Sequence, residues 1–274
     1  MMTIALPLFS ACALRGPAAL GPPADSSHPK RYVCRYTDGR IQVDGRLDEP
    51  VWTLSKPTEW FVDIRGSAGP EPRHRTRIRM LWDKRYLYIA AELQEPHVRA
   101  TLTQRDSIVF KDNDFEVFLD PDGDSRNYYE IEINAWNTVF DLLLVRSYRD
   151  NGPALHDWNL SGLMSAVFVD GTINDPSDID GGWTVELALP WAALGEHAGV
   201  PSPPAVGDVW RMNFSRVQWP YRVVHGRYGS VPDAKEDNWV WSPQGLVDMH
   251  LPQRWGYVEF QTSDFPVRRR AGKP

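Results

Sequence analysis

Three glutamates frame the chemistry available to this chain. Glu130 and Glu132 lie two residues apart in Tyr129-Glu130-Ile131-Glu132-Ile133-Asn134, and Glu116 sits in Asp114-Phe115-Glu116-Val117-Phe118-Leu119. Side chains alternate faces along a strand, so Glu130, Glu132 and Asn134 project one way and Tyr129, Ile131 and Ile133 the other. A hairpin through residues 120–128 brings Asp114 and Glu116 onto the same polar face. Arg77 and Arg79, and Arg211, Asn213 and Ser215, hold the polar phases of two further strands. Carboxylates and guanidinium forks bond vicinal hydroxyls, and flat rings cover the C–H faces of pyranoses, so such a face suits sugar recognition. The plainer alternative is an exposed sheet face stitched by cross-strand ion pairs, each contributing about 0.2–1 kcal/mol. A third use is hydrolysis of a glycosidic bond, with Glu116, Glu130 and Glu132 as acid and base at carboxyl separations of roughly 5–10 Å.

Aromatic residues supply the second signal. The chain has 12 Trp, 10 Tyr and 10 Phe, more indole than a core needs, so part of it is expected to serve a surface. Trp219-Pro220-Tyr221, Trp239-Val240-Trp241 and Met249-His250 gather near the C-terminal end, and Tyr221 to Asn238 reads as a loop presenting them. Trp52, Trp82, Trp183, Trp210 and Trp241 read as core; Trp219 and Trp239 divide evenly between core and surface. Trp136 joins the candidate ligand-binding residues, and Arg216 or Arg222 is a candidate polar partner. His250 has no partner at metal-ligand spacing. Asp120, Asp122 and Asp124 form an acidic turn that a hard cation such as calcium selects, although no EF-hand run follows.

The elements positioning these groups are strands. Period-two alternation predicts them over 76–82, 86–93, 114–119, 129–134, 139–145, 165–169, 183–189, 210–217 and 256–260, with turns at Asp83-Lys84-Arg85, Asp170-Gly171 and Asp180-Gly181-Gly182. Only Leu47–Trp52 and Trp191–Leu194 suggest helical turns. Many short antiparallel strands predict an all-β fold, a two-sheet antiparallel β-sandwich with short helical turns.

Composition narrows the function classes. At 274 residues, 42% hydrophobic and 24% charged, the chain is no disordered polymer, and a net charge of −6 gives no general attraction to nucleic acid or anionic membrane. Two cysteines, Cys12 and Cys34, exclude a disulfide framework and a four-ligand zinc site. There is no G-x-S-x-G elbow, Walker loop, dinucleotide glycine pattern or H-E-x-x-H helix. Residues 1–31 read as an export signal remnant and Pro/Ala/Gly linker, with small residues leading to Cys12 as at a lipid-anchor site. Their apolar run falls short of the roughly 20 residues a membrane span needs. Residues 32–260 read as one domain, expected to be a monomer, and residues 261–274, with Arg268-Arg269-Arg270, as a basic tail.

Seven segments in order, IQVDGRLDEPVW, IRMLWDKRYLYIAAEL, DNDFEVFLDPDGDSRNYYEIEINAWNT, GGWTVELALPW, GDVWRMNFSR, VWSPQG and HLPQRWGYVEF, resemble the family 9 carbohydrate-binding modules. The resemblance implies a DOMON-like sandwich of the immunoglobulin-like jelly-roll type, often with structural calcium, and a sugar gripped between two indoles. The family's first indole falls here on Phe110, its strand carboxylate on Glu116, its hydrogen-bonding pair on Glu130 and Glu132, and its second indole on Met249. Trp219, Tyr221 or Trp239 then stand as replacement platforms. The expected function is an exported binder of mono-, oligo- or polysaccharide beside xylan or cellulose breakdown, periplasmic, extracellular or held at the outer membrane or cell surface. Alternatives are an O-glycosyl hydrolase, a DOMON-type haem carrier using Met80, Met212, Met249 or His250, and a protein-interaction module.

Overall fold

The computed structural model describes residues 28–263. The expectations for residues 1–27, Cys12 included, and for the tail beyond residue 263 lie outside the described residues. The strands are β1 (Arg31–Tyr36), β2 (Val62–Asp63), β3 (Thr76–Trp82), β4 (Tyr86–Leu93), β5 (Asp114–Asp120), β6 (Arg126–Asn134), β7 (Val139–Arg146), β8 (Ala154–Leu155), β9 (Met164–Asp170), β10 (Gly182–Pro190), β11 (Val209–Gln218), β12 (Tyr221–Val224), β13 (Arg227–Ser230), β14 (Asp237–Val240) and β15 (Gly256–Gln261). The two helices, α1 (Pro50–Leu54) and α2 (Trp191–Leu194), fall where the sequence suggests helical turns. Pro50 opens α1, where a missing N–H costs nothing.

Strands hydrogen-bond in the order β8-β7-β6-β5-β11-β15-β1-β3-β4-β10-β9, with β14 beside the end of β11 and β2 beside β14. Pairing is antiparallel throughout except at β1, which runs parallel to both β15 and β3. Strand β1 therefore joins two antiparallel sets, and their facing sides enclose the main core of an all-β sandwich. Ile78, Met80, Ile89, Ala91, Val185 and Leu187 meet Phe115, Val117, Ile131, Ile133, Met212 and Phe214 there, in the alternation the sequence shows. Eight tryptophans are buried, Trp52, Trp82, Trp183, Trp191, Trp210, Trp239, Trp241 and Trp255, so most of the indole packs the interior.

Both outer faces are covered. Over β3, β4 and β10, Trp52 packs with Leu81, Tyr88, Ala90 and Ala188. Glu186 anchors that cover, accepting from the Trp52 indole N–H (2.8 Å) and the backbone N–H groups of Asp44 and Gly45 (3.0 and 2.9 Å). Arg77 and Arg79 both pair with Glu92 on this side (2.6 and 3.1 Å), a cross-strand ion ladder remote from Glu116. Over β5, β6, β7 and β11, Phe118, Tyr128, Phe140, Leu142 and Leu144 are packed by Ile64, Val109, Met249 and Trp255. The stretch from Tyr221 to Asn238 is not the plain loop expected: β12 and β13 form a hairpin whose turn, His225-Gly226, has φ of 51° and 72°. Two positive φ values in a two-residue turn match the twist of the flanking strands.

Candidate functional site

Register decides which groups meet. Glu116 stands opposite Glu132 and Phe118 opposite Glu130 across β5 and β6. Ser215 of β11 faces Glu116, and Phe140 and Leu142 of β7 face Glu132 and Glu130. All project from the outer face, and carboxylate oxygens of Glu116, Glu130 and Glu132 lie within 4.8 Å of one another. They line a cleft of 300 Å³ together with Ile64, Phe140, Leu142 and Met249. Phe110 and Tyr148 stand at the cleft 42% and 50% exposed. The Phe110 backbone N–H donates to Glu132 Oε2 (2.8 Å), tying this ring's position to the acidic group below. His250 meets Tyr148 edge-on at 4.6 Å, and its Nδ1 lies 3.0 Å from the Tyr128 hydroxyl.

The cleft is acidic, and among the described residues the one lining carboxylate that meets a cation is Asp248, paired with Arg149 (3.3 Å). Its lining includes Glu116, Glu130, Glu132, Glu236 and Asp248 and, among the described residues, no Lys or Arg. Burial pushes the Glu116 carboxyl up to about 7. Burial also raises Glu130 and Glu132 well above the usual carboxylate range, reinforced by their charged neighbours. His250 goes the opposite way, lowered by burial to about 4, so it is a neutral ring at physiological pH. A group of this size and charge can bridge to hydroxyls, to an ammonium group or to a divalent cation.

The structure gathers Phe110, Glu116, Glu130, Glu132, Met249 and His250 in this cleft and places five other candidates elsewhere. Arg216 is fully buried on the opposite face of β11, bonded to Glu95 (2.7 Å), and cannot partner a sugar in the cleft. Trp239 is buried beneath it, with the guanidinium 5.1 Å from the ring, and offers no open platform. Trp219 lines a neighbouring hollow with Arg99, Lys111 and Asn113, its indole N–H donating to the Phe110 carbonyl (2.8 Å). Tyr221 packs on Tyr228 and His97 in a separate aromatic group. Trp136 is exposed at the turn after β6, its indole N–H on the Ala100 carbonyl (2.9 Å). Sequence reasoning misses Tyr148, His156, Glu236 and Asp248, which come from irregular segments with no periodic signal.

The two metal readings fare differently from the acidic floor. Asp120, Asp122 and Asp124 do approach one another, with oxygens within 4.8 Å. Asp120 already accepts the N–H groups of Gly123 and Ser125, Asp122 that of Asp124, and Asp124 that of Arg126. Three carboxylates so engaged close the turn by themselves and fall short of the six to eight oxygens of a calcium cage. Met80 and Met212 lie in the main core, across the sheet from Met249 and His250, so the haem-ligand candidates do not converge.

Residues 43–207 match the model of the carbohydrate family 9 binding domain-like family. The chain belongs to that family. Family 9 domains are carbohydrate-binding modules, and this member shares 28% identity over 156 residues with endo-1,4-beta-xylanase A of Thermotoga maritima and 25% over 156 residues with that of Thermoanaerobacterium saccharolyticum. Each match covers 57% of this chain but only 12% and 11% of those enzymes, so the chain spans a small part of the curated relatives it matches. Among solved structures, a Bacteroides uniformis protein described as carbohydrate-binding superposes with a TM-score of 0.60 at 19% identity, covering 85% of this chain and 99% of the other. A family 9 module from Caldicellulosiruptor kristjanssonii, solved with cellotriose, superposes with a TM-score of 0.54 at 15% identity, covering 87% and 99%. These likenesses establish the family 9 fold. Among the described residues no helix is long and apolar enough to cross a membrane.

Proposed function

We propose that this family 9 domain binds mono- or oligosaccharide in the cleft, as a non-catalytic protein working beside polysaccharide breakdown. The observation that carries this reading is the convergence of Glu116, Glu130 and Glu132 beneath the exposed ring of Phe110. The carboxylates accept from sugar hydroxyls, the Phe110 ring covers a C–H face, and the apolar wall of Ile64, Leu142 and Met249 excludes water around them. Met249 replaces the second flat ring, and a thioether packs on a sugar with less directional preference than an indole. Affinity in the micromolar to millimolar range is expected, since one stacked ring and a few hydrogen bonds contribute only a few kcal/mol.

Calorimetry and affinity electrophoresis across cello- and xylo-oligosaccharides and the parent glycans test the proposal; silence across the whole panel would remove it. Phe110→Ala should weaken binding roughly tenfold, the value of one aromatic contact, with only a small fall in melting temperature because the residue is already 42% exposed. An unaltered affinity would move the sugar away from this cleft. Export and anchoring through Cys12 belong to the same proposal. Fractionation of cells expressing the full chain and a Cys12→Ala variant checks them, with loss of membrane association expected only in the variant.

A further inference from the structure

The cleft's charge goes beyond sugar recognition in general. Resting on the carbohydrate reading above, we propose that the preferred sugar carries a protonated amine, so that the ligand is an amino sugar of the glucosamine type rather than a neutral glycan. Buried carboxylates elsewhere in this domain each meet at least one donor. Glu95 has Arg216, Asp63 has Arg65, Asp112 has the Thr101 and Leu102 N–H groups, Asp180 those of Val98 and Thr172, and Glu186 three N–H donors. Glu130 is just as buried, yet among the described residues none donates a hydrogen bond to it. A further, independent sign comes from β11. The Ser215 hydroxyl is fully buried, projects from the same face opposite Glu116, and has no hydrogen-bond partner. Buried polar groups are paired in folded proteins, so Glu130 lacks a donor, and the Ser215 hydroxyl beside Glu116 is left to bond a ligand atom.

The missing donor is a compact cation with several N–H bonds. An ammonium group has three donors, and three carboxylate oxygens within 4.8 Å of one another can take one each. The rings of Phe110, Phe140, Tyr148 and the neutral His250 flank the same space, and aromatic faces attract an organic cation. A bare divalent metal fits less well. The carboxylates approach from one sheet face only, leaving half a coordination sphere to solvent, and the 300 Å³ cleft with its apolar wall has room for a sugar ring beside the charge.

Calorimetry on the full chain decides, using glucosamine hexamer, cellohexaose and the fully N-acetylated hexamer, with ethylammonium chloride and calcium chloride as separate titrants. The glucosamine hexamer should bind at least about tenfold tighter than either neutral hexamer, and the advantage should shrink as salt is raised. Glu130→Gln and Glu132→Gln should each erase most of that advantage, and an unfolding transition as cooperative as the parent's separates this result from misfolding. Equal or stronger binding of the neutral hexamers overturns the amine inference and leaves the carbohydrate reading standing. No binding by any sugar ends both, as does ethylammonium competing as well as the hexamer. Calcium binding that is lost in Glu130→Gln, without a preference for glucosamine, reassigns the acidic floor to a metal and overturns the inference.

Discussion

Glu95→Ala should lower the stability of this domain by about 3–5 kcal/mol, the usual cost of stripping one partner from a buried ion pair. Glu95 lies two residues beyond the end of β4, and its side chain is as inaccessible as that of Arg216. The guanidinium spends its N–H groups on Glu95 Oε2 (2.7 Å), Gln218 Oε1 (3.0 and 2.6 Å), Thr76 Oγ1 (3.0 Å) and the Gln94 carbonyl (2.9 Å). Three of these four acceptors survive the substitution, but none carries charge, so a cation remains in the interior with only dipoles to answer it. The pair also fastens the end of β4 to β11, one antiparallel set to the other. Urea unfolding of Glu95→Ala, Glu95→Gln and the double variant Glu95→Met/Arg216→Met separates the causes. The single alanine change should be worst, and the double variant should recover much of the loss, because apolar residues of similar volume replace a buried pair at little net cost. A loss under about 1 kcal/mol in Glu95→Ala would show that the surrounding neutral acceptors suffice.

The second large effect concerns the acidic floor and runs with pH. The folded-state pKa of Glu116, about 7, lies above its ordinary value of 4.5. A carboxyl shifted upward stabilises the fold fully below its unfolded pKa, and that contribution is lost as pH rises through the folded value. Its size is roughly 3 kcal/mol at 1.36 kcal/mol per pKa unit. Glu116→Gln should therefore match the parent near pH 4.5 and exceed it by an amount of that order at pH 8. Glu130 and Glu132 shift in the same direction and steepen the parent's decline. His250 opposes them below pH 6.5, since its lowered pKa makes the fold gain stability from about pH 4 up to 6.5. The difference between variant and parent cancels the histidine. Melting temperatures of the two proteins that stay parallel from pH 4.5 to 8 would mean that the carboxyl is ordinary in the folded state.

How far the sequence reaches is clearest at β11 and β6. The alternation of Glu130 and Glu132 with Ile131 and Ile133 places the acids outward, and the structure has them there. The same rule was available for Arg216, which shares its phase with Trp210, Met212 and Phe214 and lies with them on the inner side. Assigning it to a sugar site sets charge against phase, and phase prevails because Glu95, far away in sequence, neutralises it. What alternation cannot supply is the second layer over the polar face. Ile64, Val109, Met249 and Trp255 arrive from irregular segments, and they turn an apparently solvated surface into a cleft that shifts carboxyl pKa values. Tyr148 and His156 enter the site the same way. Trp239 sits in a four-residue strand, too short for its burial to be read from period alone.

Strand β1 has a consequence for how this chain reaches its native state. Residue 31 pairs with residue 257 on one side, while Arg35 and Tyr36 pair with Leu81 and Trp82 on the other. During synthesis from the N-terminus, the seam between the two halves stays open until β15 has left the ribosome, however early β3 and β4 form their hairpin. Contacts this distant along the chain slow folding because the intervening loop must close before they reward it. Nascent chains arrested before residue 256 should thus remain protease-sensitive around residues 31–36, with protection arriving late and all at once.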